Sequence, residues 1–213
     1  MKAKYSEKAF RDMAKYYGFA WHKYGDVRYC IHCHKPLPKS EQAPDFSFWQ
    51  VYNWVECKNS DNTGRWNASE IMEGGSREKQ REFLLEKGGW LFIVLGTGRA
   101  PEGKSAFLLS FKDWVERFEP ILELNDMRSI RKSSKGQRPG ADLLLQSYRL
   151  EWVDGCWIIP DGHPFWWHLY EQVTVLKLKI KEHLHEQRNF NDLPFGDSDF
   201  DPHDDGDRYR SIT

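Results

Sequence analysis

The run Trp90-Leu91-Phe92-Ile93-Val94-Leu95 constrains the fold more than any other stretch of the chain. A short, uninterrupted apolar run reads as a strand covered on both faces, and parallel strands flanked by helices carry such runs. Its surroundings agree. Residues 77–87, REKQREFLLEK, read as a helix with Ser76 placed to cap it and Gly88-Gly89 to close it. Upstream, Asn53 to Lys58 reads as a strand. Strand, helix and apolar strand in that order predict a βαβ unit, and with it an α/β fold. At 213 residues the chain can bury a sizeable core.

The strand that opens this unit ends in polar chemistry. Pro44 to Lys58 reads PDFSFWQVYNWVECK. Alternate side chains of a strand share a face, so Glu56 and Lys58 point one way while Val55 and Cys57 point the other. Carboxylates and an ammonium on one sheet surface are costly to bury without partners. A divalent cation is a natural partner: Mg²⁺ takes one or two carboxylates plus water and phosphate oxygens, a set that Asp45 and Glu56 can begin. Lys58 can then hold an attacking water or stabilise charge developing on a phosphate. Taken alone, the Glu-Cys-Lys triplet fits an ordinary strand with a surface ion pair equally well.

Its context carries a resemblance. Pro44-Asp45, then Glu56-Cys57-Lys58, then Gln80 in the next helix, then Gly88-Gly89 and the strand from Trp90 resemble the ordered motif of the PD-(D/E)xK nuclease superfamily. Within that superfamily the order is most similar to bacterial and phage Holliday-junction resolvases, or to virus-type replication–repair nuclease domains. It covers about residues 5–115. The resemblance implies a restriction-endonuclease-like core, a central mixed β-sheet flanked by helices, here followed by a C-terminal α+β extension. It also implies a Mg²⁺- or Mn²⁺-dependent endonuclease acting on branched or duplex DNA. Asp45, Glu56 and the Cys57 carbonyl would hold the cation, Lys58 would orient water, and Gln80 would position water or phosphate. Glu7, on a helix from Ser6 to about Tyr17, has two readings: an acid favoured by the helix dipole, or a third carboxylate directed at the metal. Resolvases act as homodimers on symmetric junctions, so a homodimer is expected.

Other features widen the picture. Cys30-Ile31-His32-Cys33-His34 has zinc-ligand spacing, but no second Cys-x-x-Cys pair follows. A structural Zn²⁺ held by Cys30, Cys33, His32 and His34, or two reduced thiols in a loop, both remain open. Residues 59–68 read as a polar loop. Lys112 to about Leu124 reads as an amphipathic helix. Arg128, Arg131, Lys132, Lys135 and Arg138 cluster in a Ser/Gly-rich segment that suits phosphate contacts or plain solvation. Tyr148 to Ile159 reads as a hairpin turning at Asp154-Gly155. A long helix is expected from Pro164, although VLKLKIK also alternates like a strand. His183, His185 and Glu186 fit an exposed helix end better than a metal site.

The expected organisation is a nuclease core over residues 1–125, an extension over 126–190 and a disordered acidic tail over 191–213. The tail holds seven Asp and two Arg, about −5, which against a net −1 leaves about +4 on the rest. That mildly basic body fits a polyanionic partner weakly. No apolar run of about 18 residues predicts a membrane span. Four cysteines without a secretory signal point to a reducing cytoplasm, and the resemblance implies a bacterial or phage-encoded protein. A Cys/His and aromatic binding module without catalysis is the rival from another functional class.

Overall fold

The structure is a computed structural model that describes residues 5–19, 21–23, 28–29, 36–37, 45–48, 53–98 and 101–191. The chain divides into two units, Met1–Gln172 and Val173–Thr213.

Helix α1 (Tyr5–Tyr16) forms because Ala9, Phe10, Met13 and Ala14 recur at helical spacing and are all buried. It stops at Gly18, whose φ of +65° lets the Phe19 N–H reach back to the Ala14 carbonyl at 2.8 Å. Ser6 lies buried inside α1. Strand β1 (Trp21–Lys23) follows, then β2 (Arg28–Tyr29) and β3 (Pro36–Leu37), which pair with each other, then β4 (Phe46–Phe48) and β5 (Asn53–Asn59). Next come β6 (Arg65–Asn67), α2 (Glu78–Glu86), β7 (Trp90–Gly96) and β8 (Lys104–Ser110).

The α/β expectation holds. A five-stranded mixed sheet runs in the order β1-β4-β5-β7-β8. β5 and β7 are parallel, bridged by α2, while β4 and β8 pair antiparallel at either side. All seven residues of β7 are buried, and their alternation divides two cores. Leu91, Ile93 and Leu95 face one core with Leu84 of α2, Phe107 and Trp114. Trp90, Phe92 and Val94 face the other with Phe10, Met13, Leu108, Trp157 and Phe165. A strand covered on both faces accounts for the uninterrupted apolar run.

After β8 the chain is helical through α3 (Phe111–Asp113), a π-helical stretch (Trp114–Phe118) and α4 (Glu119–Leu124). The Ser110 hydroxyl accepts from the Asp113 N–H at 3.0 Å to start it. Strand β9 (Ser129–Arg131), helix α5 (Ala141–Leu144), the hairpin β10 (Glu151–Val153) and β11 (Cys156–Ile158), and helix α6 (Pro164–Asn191) complete the order. The hairpin turns at Asp154 and Gly155 as expected, with φ +48° and +85°, the left-handed pair of a two-residue β-turn. Residues 164–191 are helix, so the alternation in VLKLKIK did not prevail.

Four sequence expectations need correction. Residues 59–68 are not all loop: β6 pairs antiparallel with β9, placing Trp66 opposite Ile130, both buried. The basic segment is therefore partly a strand. Ser76 does not cap α2; the helix begins at Glu78 after Arg77, with no side-chain cap. Residues 126–172 are not a separate extension either. Leu150, Trp157, Ile159 and Phe165 lie in the same core as Phe10 and Phe92, and the Tyr17 hydroxyl accepts from the Ile159 N–H at 2.8 Å. The boundary falls after Gln172 rather than at 125 because that stretch supplies one wall of the second core. Among the described residues, no helix is long and apolar enough to cross a membrane.

Candidate functional site

The site is set by strand register. Phe46 stands opposite Val55, and both side chains are buried in the α1-side core. The preceding residue, Asp45, thereby comes beside Glu56, and its Oδ2 accepts the Cys57 backbone N–H at 2.8 Å. Alternation along β5 sends Val55 and Cys57 into the core, as expected, and puts Glu56 and Lys58 together elsewhere: Lys58 Nζ lies 3.0 Å from Glu56 Oε1. Both side chains are buried, at 4% and 5% exposure, so their charges interact in a poorly screened setting.

Helix α2 contributes the next partner. Gln80, in its first turn and buried, donates from Nε2 to Glu56 Oε2 at 2.9 Å. The Gly88-Gly89 turn fixes where this helix returns to the sheet. Gly88 has φ +69°, and a Cβ on Gly89 would lie 2.3 Å from Leu84 Cδ2. Glu7 enters from α1; it is buried and forms an ion pair with Lys23 of β1. Asp45, Glu56, Lys58, Gln80 and Glu7 therefore gather in one place although they come from three elements and a loop.

Sequence reasoning missed three members. Glu70 lies 3.0 Å from Lys58 Nζ through Oε1 and accepts the Trp66 indole N–H at 3.0 Å. Arg77 spans both carboxylates, with NH1 3.5 Å from Glu56 and Nε 3.5 Å from Glu70. Lys23 neutralises Glu7. The available signal was weak: a buried lysine between carboxylates implies a second counter-charge, but nothing periodic in residues 59–77 marks Glu70 as its source.

Electrostatics single out Asp45. Burial foremost, then the neighbouring charge of Glu56 and more weakly of Glu7, push its carboxyl up to about 7, against the Cys57 N–H and Lys58. Burial also raises the Cys57 thiol well above its ordinary range, with Asp45 and Glu56 adding to it, so this cysteine is a buried apolar group and not a nucleophile. Burial alone would raise Glu70 as well, but Lys58, the Trp66 indole and Arg77 together hold it below the ordinary carboxylate range.

Among the described residues, no three His, Cys, Asp or Glu side chains are grouped so as to hold a metal ion by themselves. Two carboxylates, one main-chain carbonyl and water form a different kind of set, all oxygen, which suits a hard cation such as Mg²⁺ or Mn²⁺. The proton affinity of Asp45 is the observation that fits such an ion. A carboxyl pushed up by burial, with a second carboxylate beside it, is relieved by added positive charge.

Of the expected DNA contacts, Arg128, Lys135 and Arg138 are exposed, Arg131 lies half-buried on β9, and half-buried Lys132 donates to the Glu102 carbonyl at 3.4 Å. Arg128 and Glu70 line the same open cleft, of about 640 Å³, with Asn67, Gly75 and Glu123. Lys135 and Arg138 bridge each other in a tight turn at the segment's C-terminal end. The Cys30, His32, Cys33, His34 element and the tail from residue 192 lie outside the described residues. No protein-family model matches the sequence, and comparison with curated proteins gave no match.

Proposed function

We propose that this protein is a divalent-metal-dependent DNA endonuclease of the PD-(D/E)xK type, built on a restriction-endonuclease-like core. The preferred substrate is branched DNA such as a four-way junction, cut by a homodimer in bacterial or phage recombination or repair, in the cytoplasm. The observation that carries the reading is the convergence of Asp45, Glu56, Lys58 and Gln80, with Asp45 buried beside a second carboxylate.

When bound, the cation would lower the pKa of a water and neutralise charge building on the scissile phosphate. The chain's own groups account for the rest. Asp45 and Glu56 supply oxygen ligands, and the Cys57 N–H fixes the orientation of Asp45. Gln80 fixes Glu56 by its amide hydrogen bond. Lys58 presents an ammonium within hydrogen-bonding distance of the carboxylates, placed to orient water and offset negative charge on phosphate oxygens. Arg128, exposed at the cleft, and the basic residues beyond it provide sequence-independent phosphate contacts.

The test compares wild type with Asp45→Asn and Lys58→Ala on linear duplex and on a four-way junction, in Mg²⁺ or EDTA. Paired symmetric nicks on the junction, lost in both variants and in EDTA, are expected. Cutting of every DNA form would keep the nuclease and remove the junction preference. Salt-sensitive DNA binding that both variants retain, without cutting by wild type, would make the protein a binding module instead.

A further inference from the structure

We propose that Glu70 is the positioning residue for Lys58, the carboxylate that holds the lysine in place while Glu56 is engaged with a divalent cation. The inference rests on the nuclease reading and extends it to a residue outside the Asp-Glu-x-Lys motif.

The geometry sets up a competition. Lys58 Nζ is equidistant from two carboxylates, 3.0 Å from Glu56 and 3.0 Å from Glu70. Its side chain is only 5% exposed, and a buried ammonium left without a partner carries a severe desolvation penalty. Glu56 already divides its two oxygens between Lys58 and Gln80. An oxygen turned toward a cation is no longer fully available to the lysine, and the cation itself repels the ammonium. Lys58 then needs a counter-charge that the metal does not claim.

Glu70 is built for that task. Its Oε1 accepts the Trp66 indole N–H at 3.0 Å, and the Arg77 guanidinium lies 3.5 Å from Oε2. Its carbonyl accepts the Arg77 backbone N–H at 2.9 Å, which closes the turn between β6 and α2. Trp66 in turn is 3% exposed, packs against Trp114 at a ring distance of 5.3 Å, and sits on β6, paired with β9. The anchor of Glu70 therefore runs into a rigid core rather than into solvent. The same contacts favour its ionised form despite burial.

The ammonium ¹H–¹⁵N resonance of Lys58 reads this role directly, in the full-length protein with labelled lysine and assigned by its loss in Lys58→Met. In wild type the resonance is expected with and without Mg²⁺. In Glu70→Ala it is expected in EDTA, where Glu56 holds the lysine, and lost on adding Mg²⁺. Glu70→Asp restores it. On DNA, Glu70→Ala lowers kcat by about 10- to 100-fold with little change in KM, the range for residues that orient a metal-site group. Trp66→Phe, which removes the indole N–H along with part of the ring and keeps Glu70, moves kcat in the same direction by less. A Glu70→Ala resonance that persists in Mg²⁺, or a wild-type kcat in that variant, overturns the role of Glu70 and leaves the nuclease reading standing. Wild type that neither binds Mg²⁺ by calorimetry nor cuts DNA removes the nuclease reading, and this inference with it. Should Glu70→Ala fail to fold, Glu70→Gln decides by the same two readings.

Discussion

Gln80 and Arg81 are adjacent on α2, and they belong to two buried charged clusters of different design. Arg81 pairs with the Glu119 carboxylate and donates to the Ile71 carbonyl at 3.2 Å, while Glu119 also accepts the Trp114 indole N–H at 2.8 Å. One cation meets one anion and their remaining valences go to fixed partners. Around Gln80, the described residues bring together four carboxylates, Glu7, Asp45, Glu56 and Glu70, against three cations, Lys23, Lys58 and Arg77. The surplus negative charge lies beside Asp45, whose carboxyl burial foremost, and Glu56 after it, push up to about 7. A closed pair is costly to break, whereas an open cluster with surplus charge favours something positive.

Breaking the closed pair has the largest expected effect on stability. Glu119→Ala strands the Arg81 guanidinium at 8% exposure and should lower unfolding free energy by about 3–5 kcal/mol in urea melts. Cutting per folded molecule should stay at the wild-type level, because Glu119 serves only the structural cluster.

Asp45→Asn should do the reverse. A carboxyl raised from 3.8 to about 7 binds its proton more tightly in the folded than in the unfolded chain. The resulting cost to stability is absent below the unfolded pKa, grows as pH rises between the two values, and is fully present above the folded one. The charges facing Asp45 across this range are Glu56, Glu7 and Lys58. The full shift corresponds to about 4 kcal/mol; partial exposure of Asp45 reduces the expectation to about 2 kcal/mol. The variant should therefore melt higher than wild type at about pH 8 and equal to it below about pH 4. A constant difference across pH would show that the Asp45 carboxyl is not raised in the folded protein.

Gln80→Ala should have the smallest effect, about 1.5–2 kcal/mol, the lower end for one hydrogen bond to a charged carboxylate. Its kcat should fall more than its stability suggests, because Glu56 loses the amide that orients it.

Much of this was legible in the sequence where side chains act in a periodic pattern. The β7 run identified the doubly covered strand, and the alternation of Val55, Glu56, Cys57 and Lys58 divided core from site correctly. The resemblance that linked Asp45, Glu56 and Gln80 anticipated a gathering of side chains that the contacts show. What escaped was built from short, non-local pieces. β6 and β9 are three residues each, too brief to show a period, and they pair across more than sixty residues of chain. Glu70 gains its place from that pairing, through Trp66, so no local pattern announces it. The 126–172 stretch was misassigned for a related reason: its apolar residues are scattered among turns and become a core wall only through packing on α1 and β7.

The central claim is that the surplus charge at Asp45 and Glu56 is a divalent-cation site. The most direct measurement is a calorimetric titration of Mn²⁺ into wild type, Asp45→Asn and Glu119→Gln at neutral pH. Saturable binding by wild type and Glu119→Gln, abolished in Asp45→Asn, is the predicted result. Wild type that takes up no cation, or an Asp45→Asn variant that binds it as wild type does, would contradict the account.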